Sequence, residues 1–316
     1  MQVLPFFSTP EQSNSFNYAH LIHHPLWLFP KNHYKQQQAI SRGSIDFGMI
    51  VFGNWSKIRV MIPLLDRMGP FLVYSYTVVL GLGILAATGV TSWLAKKQQI
   101  KKWFDAVLVC LIFGLIGGRF GFVLANWVYF QDHTSSIYKL WQGGYSYFGA
   151  LFASILGLWV WTWWEKRSQT QTQEKLFPTY SDLLAPGFAL VCAFGWLACW
   201  LDGCAYGLET TLSPLSADLP DEFGIFAVRY QTQMIGLVWS LLVFIFAILT
   251  RAHWRKGQLF WLTLGLISLG NIGISYLRGD SILMIDAIRL DLITNGTFVL
   301  ISALFMIYYQ KHINNS

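Results

Sequence analysis

Apolar residues run along this chain in long blocks separated by short polar connections. Seven blocks, near 69–95, 103–129, 144–164, 181–204, 231–250, 258–277 and 290–309, approach or exceed the ~20 residues a helix needs to cross a bilayer. The third and fourth are marginal for the task, and Thr294, Asn295 and Gly296 interrupt the seventh. The pattern predicts an all-α, polytopic membrane protein with seven transmembrane helices. It divides the chain into a polar and aromatic extension over 1–67, a transmembrane domain over 68–310 and a tail over 311–316.

Charge orients the helices. The connections after blocks one, three and five, with the tail, hold eleven cations: Lys96, Lys97, Lys101, Lys102, Lys166, Arg167, Lys175, Arg251, Arg255, Lys256 and Lys311. The alternate connections hold four, Lys139, Arg229, Arg278 and Arg289. Basic short loops stay cytoplasmic, so the N-terminus is expected outside and the C-terminus in the cytoplasm. Tryptophans at the ends of blocks two and three (Trp127, Trp141, Trp159, Trp161, Trp163, Trp164) suit the two bilayer interfaces.

Composition agrees: 54% of the 316 residues are hydrophobic and 12% charged, against roughly a quarter charged in a soluble domain. The net charge of +6 does not suggest nucleic acid, because the cations sit between apolar blocks. Residues 1–45 show no basic stretch followed by an apolar core, so no signal peptide is expected. His20 and His24 are four residues apart, but no third ligand is near in sequence; neither a metal nor a cofactor is expected. Residues 58–66 suit a short strand or an interfacial segment, and loop 207–230, with Pro214, Pro220, Asp218, Asp221 and Glu222, suits a small lid. Cys110, Cys192, Cys199 and Cys204 have no metal-type spacing and read as small buried apolar residues.

Once each helix has a direction, the unusual residues collect at one end, expected to be the outer one. Block two carries Gly117-Gly118-Arg119-Phe120-Gly121 and Asn126. Gly143 to Gly149 opens block three, Asp202 to Gly207 closes block four, Arg229 to Gln233 precedes block five, and Asn271 to Arg278 closes block six. Tyr76 lies near the same level of block one. A cation such as Arg119 in an apolar run must pair, face a wet cavity or hold an anion. Pairing with Asp202 and gripping a ligand are both open. The paired glycines Gly114/Gly118 and Gly117/Gly121 fit close helix packing, and Gln233 and Asn271 fit interhelical hydrogen bonding.

GGRFGFVLAN, WQGGYSYFG, DLLAP, LDGCAYG, RYQTQ and SYLRGD occur in an order and spacing that resemble the prolipoprotein diacylglyceryl transferases, over roughly 69–310. The resemblance implies transfer of diacylglyceryl from phosphatidylglycerol to a lipobox cysteine thiol in a secreted precursor. Its partners would be phosphatidylglycerol, or another anionic phospholipid, and the precursor, and its place the bacterial inner membrane. It implies Tyr76, Arg119 and Asp202 as catalytic candidates, and Arg119, Asn126, Arg229, Gln233 and Arg278 as phospholipid-binding ones. Asp182, Pro186, Gly203 and Gly207 also match.

The chain departs from the family pattern at Phe148 (histidine), Trp196 (arginine), Cys199 and Asp202 (asparagines), Cys204 (an acid), Asn271 (arginine) and Ser275 (glutamate). The alternative is therefore a lapsed or repurposed relative that binds phospholipid or a membrane partner.

Overall fold

The computed structural model describes residues 64–68, 71–140, 143–168, 176–211, 215–221, 225–280, 284–285 and 288–314. The extension and its histidines, Trp141, Lys175, Pro214 and Glu222 lie outside these residues, except for 64–67.

Seven helices are long and apolar enough to cross a membrane. They are α1 (Ser75–Gln98), α2 (Trp103–Ala125), α3 (Tyr147–Ser168), α4 (Leu176–Asp202), α5 (Thr232–Thr250), α6 (Gln258–Ser275) and α7 (Leu290–Asn314). At 1.5 Å per residue they span about 27 to 40 Å, enough for a hydrocarbon core of about 30 Å. The protein is a multi-pass helical membrane protein.

The first helix begins later than the apolar block that predicted it. Residues Phe71–Tyr74 form strand β2, paired antiparallel with β1 (Leu64–Met68). Aromatic and β-branched residues after the Gly69–Pro70 pair are apolar enough to read as helix; a strand partner decides otherwise. Conversely, α4 begins at Leu176, ahead of its apolar block, because Pro178 is tolerated in a first turn. Helix α7 runs through Thr294 and Asn295, whose side chains bond back to carbonyls of their own helix.

Helix α4 is central and packs against α1, α5 and α6; α2 pairs with α3, and α6 with α7. The apolar windows of α4 and α6 are each 56% buried, whereas the other five reach at most 33%. Side chains such as Leu85 and Leu300, 69% and 67% exposed, cover the outside of the bundle. A surface this apolar is suited to lipid.

The α2–α3 contact rests on small residues. A Cβ on Gly117 would overlap the Ala153 side chain and the Gly149 carbonyl, and one on Gly149 would meet the Gly117 carbonyl. The glycines pack helix on helix, as their spacing suggested.

Alternate helices run in opposite directions. One end of the bundle, here the basic end, gathers Lys96, Lys97, Lys101, Lys102, Lys166, Arg167, Arg251, Arg255 and Lys256. The other, the site end, carries a small β-ribbon. Strands β3 (Ser216–Pro220) and β4 (Phe226–Tyr230) form an antiparallel hairpin. Segment 207–209 runs along the other side of β4 and bonds in turn to 277–279: Tyr230 N–H donates to the Leu208 carbonyl at 3.1 Å, and Leu208 N–H to the Leu277 carbonyl at 2.8 Å. The ribbon thus stitches the chain after α4 to the chain after α6. A last hairpin, β5 (Met284–Ile285) and β6 (Ile288–Arg289), leads into α7.

Candidate functional site

Arg119 is 6% exposed, on the face of α2 that meets the α2–α3 connection. Its Nε donates to the Ile137 carbonyl, Nη1 to those of Gly143 and Gly144, and Nη2 to that of Ser136, at 2.5 to 3.3 Å. The Phe122 and Phe130 rings flank it at 5.8 and 5.4 Å. A guanidinium has five N–H groups, so one remains for anything else. Left-handed Gly143 (φ 77°) and Gly144 (φ 75°) turn the carbonyls of this hook toward the arginine. Tyr145 completes the hook by donating to the Leu140 carbonyl at 2.9 Å. Burial pushes its phenol above the ordinary range, and the Arg119 charge pulls it partly back. The ion pair with Asp202 considered from sequence does not form; backbone carbonyls solvate the Arg119 charge instead. Asn126 ends α2, donating from Nδ2 to the Phe122 carbonyl at 2.9 Å.

The ribbon brings the other two predicted arginines together. Arg278 lies opposite Gly207, and Arg229 opposite Glu209. Residues 207 and 209 share a face of the middle strand, so both arginines fall on one face, two strand spacings or about 10 Å apart across it. Each meets carboxylates. Arg229, 7% exposed, pairs with Asp221 at 3.3 Å and Glu209 at 3.1 Å and stands 5.2 Å from the Tyr206 ring centre, but its Nε is buried with no partner. Glu209 is 68% exposed, so that pair adds little.

Arg278 belongs to a four-charge cluster that the sequence reading missed. It chelates Asp280 and lies 3.6 Å from Asp291, while Arg289 joins both aspartates at 3.4 and 3.2 Å. Ser275 donates to Asp291 at 2.8 Å. The two charges of each sign cancel. The sequence signal was available in Arg278-Gly-Asp280 and Arg289-Leu-Asp291, each an arginine two residues before an aspartate.

The end of α4 departs most from expectation. Cys199 and Cys204 are joined by a disulfide with their Cα atoms 4.8 Å apart, and are not free buried thiols. Gly203 (φ 79°) and Ala205 (φ 56°) reverse the chain, and Cys204 N–H returns to the Cys199 carbonyl at 3.0 Å. Gln233, 1% exposed, holds this turn from α5 by donating to the Cys204 carbonyl at 2.8 Å, and Thr232 donates to that of Ala205. Tyr76, Trp196, Ile235 and Ile274 pack around it. Asp202 acts electrostatically on both Tyr74 and Tyr76; burial first, and then this charge, push the Tyr74 phenol up.

Tyr76, Asp202 and Gln233 therefore converge on the disulfide turn, with Arg229 and Arg278 on the adjoining ribbon. The substituted positions are filled by packing: Phe148 stacks on Phe298 at 6.3 Å, and the Trp196 indole fills the space that Gly236 leaves open. Among the described residues, no three His, Cys, Asp or Glu side chains are grouped to hold a metal.

Seven apolar helices with buried arginines, aspartates and a stapled turn at one end define a polytopic membrane protein with a polar site at its helix ends. The profile of the prolipoprotein diacylglyceryl transferases matches residues 63–308, and the chain belongs to that family, a family of transferases that act in lipoprotein biosynthesis. The chain is 28% identical over 266 residues, 76% of its own length and 78% of the relative's, to a phosphatidylglycerol–prolipoprotein diacylglyceryl transferase of Mycobacterium leprae. It is 28% identical to the one of Bacillus mycoides, covering 79% of this chain and 94% of the relative. It is 26% identical to that of Bacillus velezensis, covering 78% and 91%.

Proposed function

We propose that this protein binds phosphatidylglycerol, or another anionic phospholipid, at the site end and transfers its diacylglyceryl group to a lipobox cysteine thiol. Family membership supports the reaction, and the relatives bear that activity in their names. The observation that carries the site is Arg229: a nearly buried cation whose Nε has no partner, on the same ribbon face as Arg278. In this reading the ribbon face and Gln233 receive the phosphate. The thiol sulfur forms a bond to the glyceryl carbon as that carbon's bond to the phosphate oxygen breaks. Glycerol phosphate leaves, and Asp202, beside Tyr76, accepts the thiol proton. Arg119 and Asn126 act as positioning residues that hold the α2–α3 connection. The site end faces outward and the basic end the cytoplasm, a direction supported by the cation count and by the disulfide, which favours an oxidising compartment.

A second reading, a lapsed relative that holds lipid without transferring it, is favoured by the carbonyls that occupy Arg119, by the aspartates that neutralise Arg278 and by the packed Phe148 and Trp196. Losing one donor to a developing charge costs about 3 kcal/mol of transition-state stabilisation. Purified protein given labelled phosphatidylglycerol and a lipobox peptide separates the two. A thioether-linked diacylglyceryl peptide, reduced at least tenfold in Arg229→Gln, is the expected result. Absence of product at high enzyme concentration, with phospholipid still bound, favours the second reading.

A further inference from the structure

The basic end contains a cavity of about 130 Å³ between α1, α4 and the α5–α6 turn. Gln98, Thr179, Asp182, Arg251, Trp254 and Lys256 provide its polar and aromatic lining. The volume accommodates several water-sized groups. Arg251 is half-buried with its guanidinium carbon 5.4 Å from the centre of the Trp93 ring, and its Nη1 is buried without a partner. A desolvated charged donor is costly until something polar accepts from it.

The nearby carboxylate does not meet that need. Asp182 accepts from the backbone N–H groups of Gly257 and Phe260, so it caps the start of α6 from a neighbouring helix. Helix α6 has no cap of its own, since its N-cap position is Gly257. The lining therefore holds two cations against one carboxylate already engaged by the backbone.

We propose that this cavity is a second anion site, separate from the site end, that takes a phosphate-type oxyanion. Arg251 offers a planar fork and Lys256 a mobile point charge, the two complementary ways in which side chains hold phosphate. Trp93 and Trp254 place the cavity at the level of a bilayer interface, where phospholipid phosphates lie. The phosphate can belong to a lipid headgroup of that leaflet or be free in solution, and the experiment distinguishes the two sources. The proposal does not depend on the reaction at the site end.

Hydrogen exchange of segment 250–258 provides a local readout in the full-length protein, purified free of lipid in a maltoside detergent, which carries no phosphate. One arm titrates inorganic phosphate; the other titrates phosphatidylglycerol in mixed micelles. Saturable protection in the first arm identifies a free oxyanion, and protection only in the second identifies a lipid headgroup. In either case Arg251→Gln should weaken the effect at least tenfold and Lys256→Gln should weaken it to a smaller extent. Wild-type protein with no saturable protection in either arm overturns the proposal, even if Arg251→Gln fails to fold. Equal protection in wild type and both variants overturns it as well.

Discussion

Arg119 shows why a charged residue in an apolar helix need not be a ligand site. Four backbone carbonyls from one loop surround its guanidinium, and such carbonyls would otherwise require water. Arg119→Leu removes those donors and is expected to destabilise the protein by about 3 kcal/mol, since each buried carbonyl left without a donor costs about 1 to 3 kcal/mol and water can reach some of them. Thermal unfolding in detergent measures it. Lysine should rescue only part of the loss, because an ammonium cannot span the same carbonyls. An unchanged midpoint with loss of bound phospholipid would reverse the assignment and return Arg119 to the ligand site. Arg229 is predicted to behave in the opposite way. Arg229→Gln should reduce phospholipid retention more than it lowers the melting temperature, measured by lipid phosphorus per mole of purified protein.

At the scale of elements, glycine position separates packing from tolerance. Gly117→Ala drives a methyl group into Ala153 and the Gly149 carbonyl, and should cost about 1 to 3 kcal/mol by forcing α2 away from α3. Gly89→Ala in α1 meets no atom within 4 Å and should be neutral or slightly stabilising under the same melting assay. Comparable losses in both variants would mean that the α2–α3 seam is no tighter than the lipid-facing surface. The turn after α4 is held by a covalent bond. Closing a loop of this length is worth about 2 kcal/mol by the chain-entropy account. Cys199→Ser with Cys204→Ser should therefore lower the melting point, and reductant should have the same effect on wild type alone. Alkylation of unfolded, unreduced wild type should label Cys110 and Cys192 and spare the other two.

For the whole molecule, the distribution of charge between the two ends predicts direction. On the proposed direction, with the basic end toward the cytoplasm, a C-terminal fluorescent-protein fusion should fluoresce and a C-terminal alkaline phosphatase fusion should be inactive. The reverse pattern would also conflict with a disulfide at the site end. The bundle is organised around α4, whose two ends serve different purposes: its first turns carry Asp182, which caps α6, and its last turn carries Asp202 and the stapled reversal.

Hydropathy alone was sufficient for the number, order and approximate length of the helices, since a bilayer admits few ways to satisfy a backbone in an apolar block. Glycine spacing was sufficient to anticipate close packing on α2, because small residues recur on one helical face for a steric reason, but not that α3 is the partner. The sequence also brought the unusual residues to one end of the bundle. Their partners were decided only by tertiary structure. Whether Arg119 met Asp202 or a loop depended on how residues 136–144 fold back, and the disulfide depended on two left-handed residues reversing the chain after α4. Strand β2 likewise required a partner to distinguish it from helix. In each case the deciding contact joins groups whose meeting depends on local backbone geometry, which residue type and spacing do not encode.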